Sequence, residues 1–144
     1  MRRMRVLAAM LAAGLAGPAG AGVLDAVNAQ RGAAGLPALA EDAALTRAAE
    51  TQAVHMAQTG QLSHAGPRGR GVLPRIRGAG FGACFAAENV AWGQRDLAEV
   101  TAGWMRSPGH RRNILDRRAT HGGLALAKTA DGRPYWALVL AARC

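Results

Sequence analysis

Apolar residues return at three- and four-residue intervals through the first half of the chain and then give way to shorter extended runs. Val23, Leu24, Val27 and Ala34 mark a first helix over residues 23–34. Gly35-Leu36-Pro37 stops it, because glycine caps a helix and proline cannot continue one. Leu45, Ala48, Ala49, Ala53, Met56 and Ala57 keep helical spacing through a second helix, residues 41–58, which Gly60 ends. Glu41 and Asp42 are expected in its first turn, where the helix dipole favours acids. Within a glycine- and arginine-rich stretch, residues 66–82, the core Val72-Leu73-Pro74-Arg75-Ile76 predicts a short helix. Residues 84–92 are apolar enough for a buried strand, and Leu97, Val100 and Trp104 share one face of a third helix over 96–105. Pro108 opens a turn into a short helical run, 110–115. Residues 122–128 and 134–142 read as strands joined by an Ala130-Asp131-Gly132 turn. Helices first, a hairpin last and no strand-helix-strand alternation predict an α+β layered fold.

The N-terminus changes where this fold is expected to work. Arg2, Arg3 and Arg5 precede an apolar run, residues 6–17, and then the small residues Ala19-Gly20-Ala21. That order predicts a signal peptide over residues 1–21 and a single mature domain over 22–144. The alternative is an uncleaved anchor, although the run is short for a membrane span. No later segment is long and apolar enough to span, so the mature chain is expected to be secreted or periplasmic, with no transmembrane segment, and monomeric.

Export bears on the cysteines. Cys84 and Cys144 are the only two, and an exported chain with one pair predicts a disulfide between them. Two free buried thiols are the alternative. Charge adds less. Of 18 basic residues, removal of Arg2, Arg3 and Arg5 leaves 15 against 9 acids, a balance of +6. The arginines gather at Arg68, Arg70, Arg75 and Arg77 and again at Arg111, Arg112, Arg117 and Arg118. A solvated face is the plain reading. Attraction to an anionic envelope polymer is the second, and nucleic acid is not expected, since few aromatics interleave the charges.

Three segments carry candidate chemistry. His64 follows the second helix in Leu62-Ser63-His64-Ala65-Gly66. Glu88 lies inside the apolar run Ala86-Ala87-Glu88-Asn89-Val90-Ala91-Trp92, where a carboxylate is costly to bury unless paired or hydrogen-bonded. His110 sits in Trp104-Met105-Arg106-Ser107-Pro108-Gly109-His110-Arg111-Arg112-Asn113-Ile114-Leu115. Two imidazoles and one carboxylate are the minimum for a metal site or an acid/base pocket. His55 and His121 read as structural or exposed. No Gly-x-Ser-x-Gly elbow, His-Glu-x-x-His pair or phosphate-binding glycine loop is present.

Taken in order, these motifs resemble the CAP superfamily, the SCP-like domain of cysteine-rich secretory proteins, antigen five and plant pathogenesis-related proteins, in its short bacterial branch. The resemblance starts at Asn28-Ala29-Gln30-Arg31 and Gly35-Leu36-Pro37-Ala38-Leu39. It runs through Leu45, Ala49, Met56-Ala57 and Ser63-His64 to Ala87-Glu88-Asn89-Val90-Ala91-Trp92-Gly93, the Trp104–Leu115 text and Tyr135-Trp136. It implies a three-layer α-β-α sandwich, a small antiparallel sheet flanked by helices, with a shallow cleft that presents two histidines and two acids and in some members holds zinc. His64, Glu88 and His110 match three of these. The second acid falls three residues after the helix tryptophan, and here that residue is Ser107. The resemblance therefore implies an open site with a weakly held divalent metal, and Ser107 and Asn89 lining or backing it. It implies a binding module for a small ligand, lipid or cell-envelope polymer. A metal-dependent hydrolase using His64, His110 and Glu88, or an interaction domain with a vestigial site, are the alternatives.

Overall fold

The computed structural model describes residues 22–144, so the expected signal segment lies outside the described residues. In chain order the elements are α1 (Asp25–Ala33), β1 (Ala40–Glu41), α2 (Ala43–Thr59), a 3-10 turn (Pro67–Gly69), α3 (Val72–Gly78), β2 (Ala83–Trp92), α4 (Leu97–Met105), α5 (Pro108–Ile114), β3 (His121–Lys128) and β4 (Pro134–Arg143). The four strands form one sheet in the order β1-β3-β4-β2. β4 pairs antiparallel with both β2 and β3, while the two residues of β1 run parallel to β3.

β4 explains the layering. Its side chains alternate between two separate cores, as the two-residue period of a strand requires. Tyr135, Ala137, Val139 and Ala141 pack with Leu45, Ala49, Ala53 and Met56 of α2 and Ile76 of α3. Trp136, Leu138 and Leu140 pack with Val27 of α1, Val100 and Trp104 of α4 and Ile114 of α5. Helices therefore cover both faces, and the fold is an α-β-α sandwich. A strand buried on both sides reads as an unbroken apolar run, which is how β4 looks in the sequence.

Two local expectations change. Asp42 is not in the first turn of α2 but caps it, accepting from Ala44 N at 2.8 Å and Leu45 N at 3.2 Å. Glu41 belongs to β1, an element too short to leave a periodic signal. Pro108 opens α5 itself rather than a turn before it, so His110 is helical, and proline at the first helical position is favourable because its missing N–H has no partner there anyway.

Close contact between α2 and the sheet depends on Gly123. A Cβ at that position would overlap Thr46 N and Leu45 C, which are backbone atoms of the helix and cannot swing aside. The disulfide Cys84–Cys144 is formed, joining β2 to the chain's last residue across a separation of 60. A loop of that length restricts the unfolded chain by about 4 kcal/mol on the chain-entropy model. Among the described residues no helix is long and apolar enough to cross a membrane.

Gly123→Ala should destabilise the domain by about 3 kcal/mol, the cost of forcing a core layer apart. Urea unfolding of both proteins measures it, and a loss below the scatter of a surface substitution would mean that the helix and strand do not touch as described.

Candidate functional site

β2 lies at the edge of the sheet, so side chains on its two faces look toward different helical layers. Glu88 stands opposite Val139, on the α2/α3 side, and Asn89 stands opposite Leu138, on the α4/α5 side. The site is built where the two layers meet around this edge. His64 reaches it from the loop after α2. His110 reaches it from α5.

Glu88 is the centre. Its side chain is 1% exposed, and its two carboxylate oxygens have different partners. Oε1 lies 3.0 Å from His64 Nδ1, on an imidazole whose side chain is 61% exposed. Oε2 lies 2.8 Å from Arg75 Nη1, an ion pair rather than an aligned hydrogen bond. Arg75 is as deeply buried as Glu88. Its other nitrogens hold the surrounding loop, Nη2 donating to His64 O at 3.1 Å and Nε to Arg70 O at 3.3 Å, while Nη1 also donates to Ala48 O of α2 at 3.4 Å. Gln52, fully buried on α2, donates to Ser63 O at 2.6 Å and fixes the same loop from beneath. Gly66 lets these groups converge, since a Cβ there would stand 2.7 Å from Gln52 Oε1 and 2.9 Å from Arg75 Cδ.

The other face of β2 places α5. Asn89 Nδ2 donates to His110 O at 3.0 Å, and Asn113 Nδ2 donates to Asn89 Oδ1 at 2.9 Å. Asn113 also donates to Glu88 O at 3.3 Å, and Trp104 Nε1 to Val90 O at 3.2 Å. The edge strand thus has two of its carbonyls covered by side chains, which removes acceptors that a foreign strand could use. Asn89 is fully buried, so it backs the site and does not line it.

A cleft of about 270 Å³ opens beside His110, with Leu62, Trp92, Gln94, Ser107 and Trp104 among its walls. Leu62 and Trp92 are two of three large apolar side chains that the described residues leave exposed, at 50% and 49%. Arg133 lies across the Trp92 ring, 4.8 Å from its centre. Ser107 precedes α5 and makes no side-chain cap to it, which leaves its hydroxyl free toward the cleft.

Of the residues singled out from sequence, His64 and Glu88 are in direct contact, and Ser107 and His110 share the cleft. Arg75 falls by sequence within a solvated arginine face, and the structure corrects that reading. It is buried because the carboxylate of Glu88, itself stranded in an apolar strand, needs a compensating charge. The sequence does hold a signal for it: an isolated acid in an apolar run calls for a cation, and Arg75 stands in a short apolar helix. Leu62 and Trp92 carry no such signal, because an apolar residue in a loop or at a strand end reads as core.

The donor set is a poor fit to a resident divalent ion. One carboxylate oxygen is bound to a guanidinium, the other to an imidazole, and Ser107 supplies no charge. Among the described residues no three His, Cys, Asp or Glu side chains are arranged to hold a metal.

Fold and site define a class: a three-layer sandwich whose edge strand pairs a buried acid with one histidine on one face and braces the helix of a second histidine from the other. The sequence profile of the cysteine-rich secretory protein family, CAP, matches residues 24–140, and the chain belongs to that family. It is 32% identical over 109 residues to the uncharacterized protein YkwD of Bacillus subtilis strain 168, covering 76% of this chain but only 42% of that relative. An SCP-domain extracellular protein of Bacillus anthracis superposes with a TM-score of 0.74 at 26% identity, over 85% of this chain and 39% of the other. An outer surface protein of Borrelia burgdorferi shares the fold, with a TM-score of 0.75 at 21% identity over 82% of this chain and 87% of that one. The chain therefore spans less than half the length of its curated relative.

The two histidines titrate in opposite directions. The hydrogen bond to Glu88 raises the His64 pKa, opposed by partial burial and by the Arg75 charge. Burial lowers the His110 pKa, and the charge on His64 adds to this. The contact of His64 with Glu88 thus stabilises the fold fully below an ordinary histidine pKa of about 6.5 and fades as pH rises through the raised folded value. His110 acts the other way, since protonating it becomes a cost as pH falls below about 6.5. NMR titration of the imidazoles should find His64 titrating above His110. In Glu88→Gln the His64 midpoint should fall, and stability should drop by about 3 kcal/mol because Arg75 is left buried and unpaired. An unchanged His64 midpoint would refute the pairing.

Proposed function

We propose that the protein is an extracellular binding module whose cleft takes a small amphipathic ligand, such as an envelope lipid. The observation that carries this reading is the pairing of Leu62 and Trp92 with Ser107 and His110 around one opening. Apolar walls with a few convergent polar groups are the usual make-up of a small-molecule site. An acyl or ring portion would lie against Leu62 and Trp92. A polar head would meet the Ser107 hydroxyl and His110, which is held neutral near pH 7 and can donate or accept. Relatives named as an extracellular protein and an outer surface protein support a location outside the cell, as does the disulfide.

Hydrolysis is less well supported. A general base needs a free lone pair near the substrate, and Glu88 is buried against Arg75.

A dansyl-labelled medium-chain fatty acid provides a direct probe. Energy transfer from the tryptophans to the dansyl group reports binding, and substitutions in the cleft wall localise it there. Transfer should saturate with the probe, and Leu62→Ser should weaken binding about fivefold, roughly the loss of 1 kcal/mol of apolar contact. Equal affinity in Leu62→Ser and in His110→Ala would overturn the reading.

Zinc calorimetry near neutral pH tests the metal question separately. The unsubstituted protein should bind zinc weakly. Ser107→Glu places a carboxylate beside His110 and should tighten binding by about tenfold. Equal or weaker affinity would mean that position 107 does not serve the donor set.

A further inference from the structure

A second groove, of about 410 Å³, lies on the outer side of α2 and α3. Arg47 of α2 and Arg68 and Arg70 of the following loop line it, together with Thr51, Pro67 and the stem of Arg75. No acid lines it. Glu50 is the one carboxylate on the adjoining stretch of surface, beside His55, and it forms no ion pair with Arg47. Among the described residues Arg47, Arg68 and Arg70 have no carboxylate partner, and residues 1–21 contain no acid. Arg47 donates one hydrogen bond, to Ala79 O at 2.9 Å, and the guanidinium groups of Arg68 and Arg70 donate none within the described protein.

The loop is built to hold these charges together. Arg68 has φ 60° and ψ 24°, the left-handed conformation that a side chain with a Cβ resists. It is the one non-glycine residue with positive φ among those described, although glycine stands at 66, 69 and 71 around it. The strain is held in place by a closed turn. Gly66 N donates to Arg70 O at 2.8 Å, and Gly69 N donates to Gly66 O at 3.0 Å. Arg70 O is also the acceptor for buried Arg75 Nε, which anchors the turn to the core. Strain kept where a glycine would relieve it points to a role for the side chain.

We infer that this groove binds the phosphates of an oligophosphate or phosphodiester chain through Arg47, Arg68 and Arg70. Guanidinium forks match phosphate oxygens in pairs, and three of them suit a ligand with at least two phosphates. The groove has no aromatic side chain on which a base could stack, so the phosphates themselves are what it recognises. The groove is separate from the cleft beside His110, and neither reading depends on the other.

Tripolyphosphate is the probe, titrated calorimetrically into the protein at low ionic strength. It should bind saturably, with affinity falling as salt rises. Arg68→Gly and Arg70→Gln should each weaken binding by about tenfold, the usual loss for one charged hydrogen-bonding group. Arg117→Gln makes the same change in net charge on an exposed site elsewhere and should leave binding within about twofold. Arg68→Gly should at the same time raise the thermal midpoint, because glycine accepts the backbone angle that arginine resists. A loss of binding in a more stable protein cannot be ascribed to misfolding. Phosphatidylglycerol vesicles form the second arm, and tripolyphosphate should displace the protein from them. No saturable binding, an Arg117→Gln loss equal to that of Arg68→Gly, or vesicle binding that resists tripolyphosphate would each overturn the proposal.

Discussion

A carboxylate on the inner face of a sheet must be neutralised or it will not stay charged, and Glu88 is neutralised by Arg75. Much of the site's architecture follows from that pair. It ties α3 to the edge strand, across a gap that apolar contacts from a seven-residue helix would close only weakly. Arg75 then distributes its remaining donors over the carbonyls of Ala48, His64 and Arg70, so one side chain fixes α2, the His64 loop and the strained turn at once. Such a pair is expensive to bury and more expensive to break, since either partner alone is an unpaired charge in the core. Its net contribution to stability is therefore small beside the cost of breaking it.

The same pair sets the chemistry of the exposed imidazole. With Oε2 occupied by a guanidinium, Glu88 has one oxygen left, and His64 takes it. The carboxylate therefore orients an exposed histidine. A metal would have to compete with Arg75 for the acid and with protons for His64, whose affinity for them the acid has raised. His110 lacks such a partner and stays neutral more readily. The two histidines thus differ in proton affinity, His64 raised by its carboxylate partner and His110 lowered by burial.

Most of the fold is legible in the sequence, because most of it rests on periodicity. The helices α2 and α4 and the strands β3 and β4 repeat their apolar residues often enough to be read. What escapes is specified by single contacts. β1 has two residues and exists because Ala40 N and Asp42 N find acceptors at Thr120 O and Gly122 O. Gly123 has nothing in its sequence context to mark it as a contact point between strand and helix. In the candidate site Glu88 is legible through chemistry, as a carboxylate in an apolar run, while other positions are marked by the family motifs without showing what they do. Asn28 is an example: its side chain closes on Leu39 N and O, at 2.8 and 3.1 Å, and serves structure alone. Arg31 is another, fully buried, with its guanidinium spent on the carbonyls of Pro37, Ile114, Asp116 and Ala119. Two of the positions that carry the family resemblance are braces, and one of them, Arg31, holds the C-terminal end of α5, the helix that carries His110.

Arginine usage in this chain divides along that line. Arg31 and Arg75 are inside, each meeting carbonyls that no other side chain reaches, and Arg75 meets a carboxylate as well. Lysine could not replace either, since its single nitrogen cannot address acceptors lying in several directions around a plane. Arg118 and Arg143 lie over the rings of Phe85 and Phe81 and pair with Asp116 and Asp42, which keeps apolar ring faces covered near the sheet ends. The guanidinium groups of Arg68 and Arg70 fit none of these uses. Among the described residues they have no ring beneath them, no carboxylate and no carbonyl to hold, and Arg68 keeps a strained backbone angle. Exposed Arg111, Arg112 and Arg117 also lack a carboxylate partner among the described residues, so what sets Arg68 and Arg70 apart is the acid-free groove they share with Arg47 and the strained angle kept at Arg68.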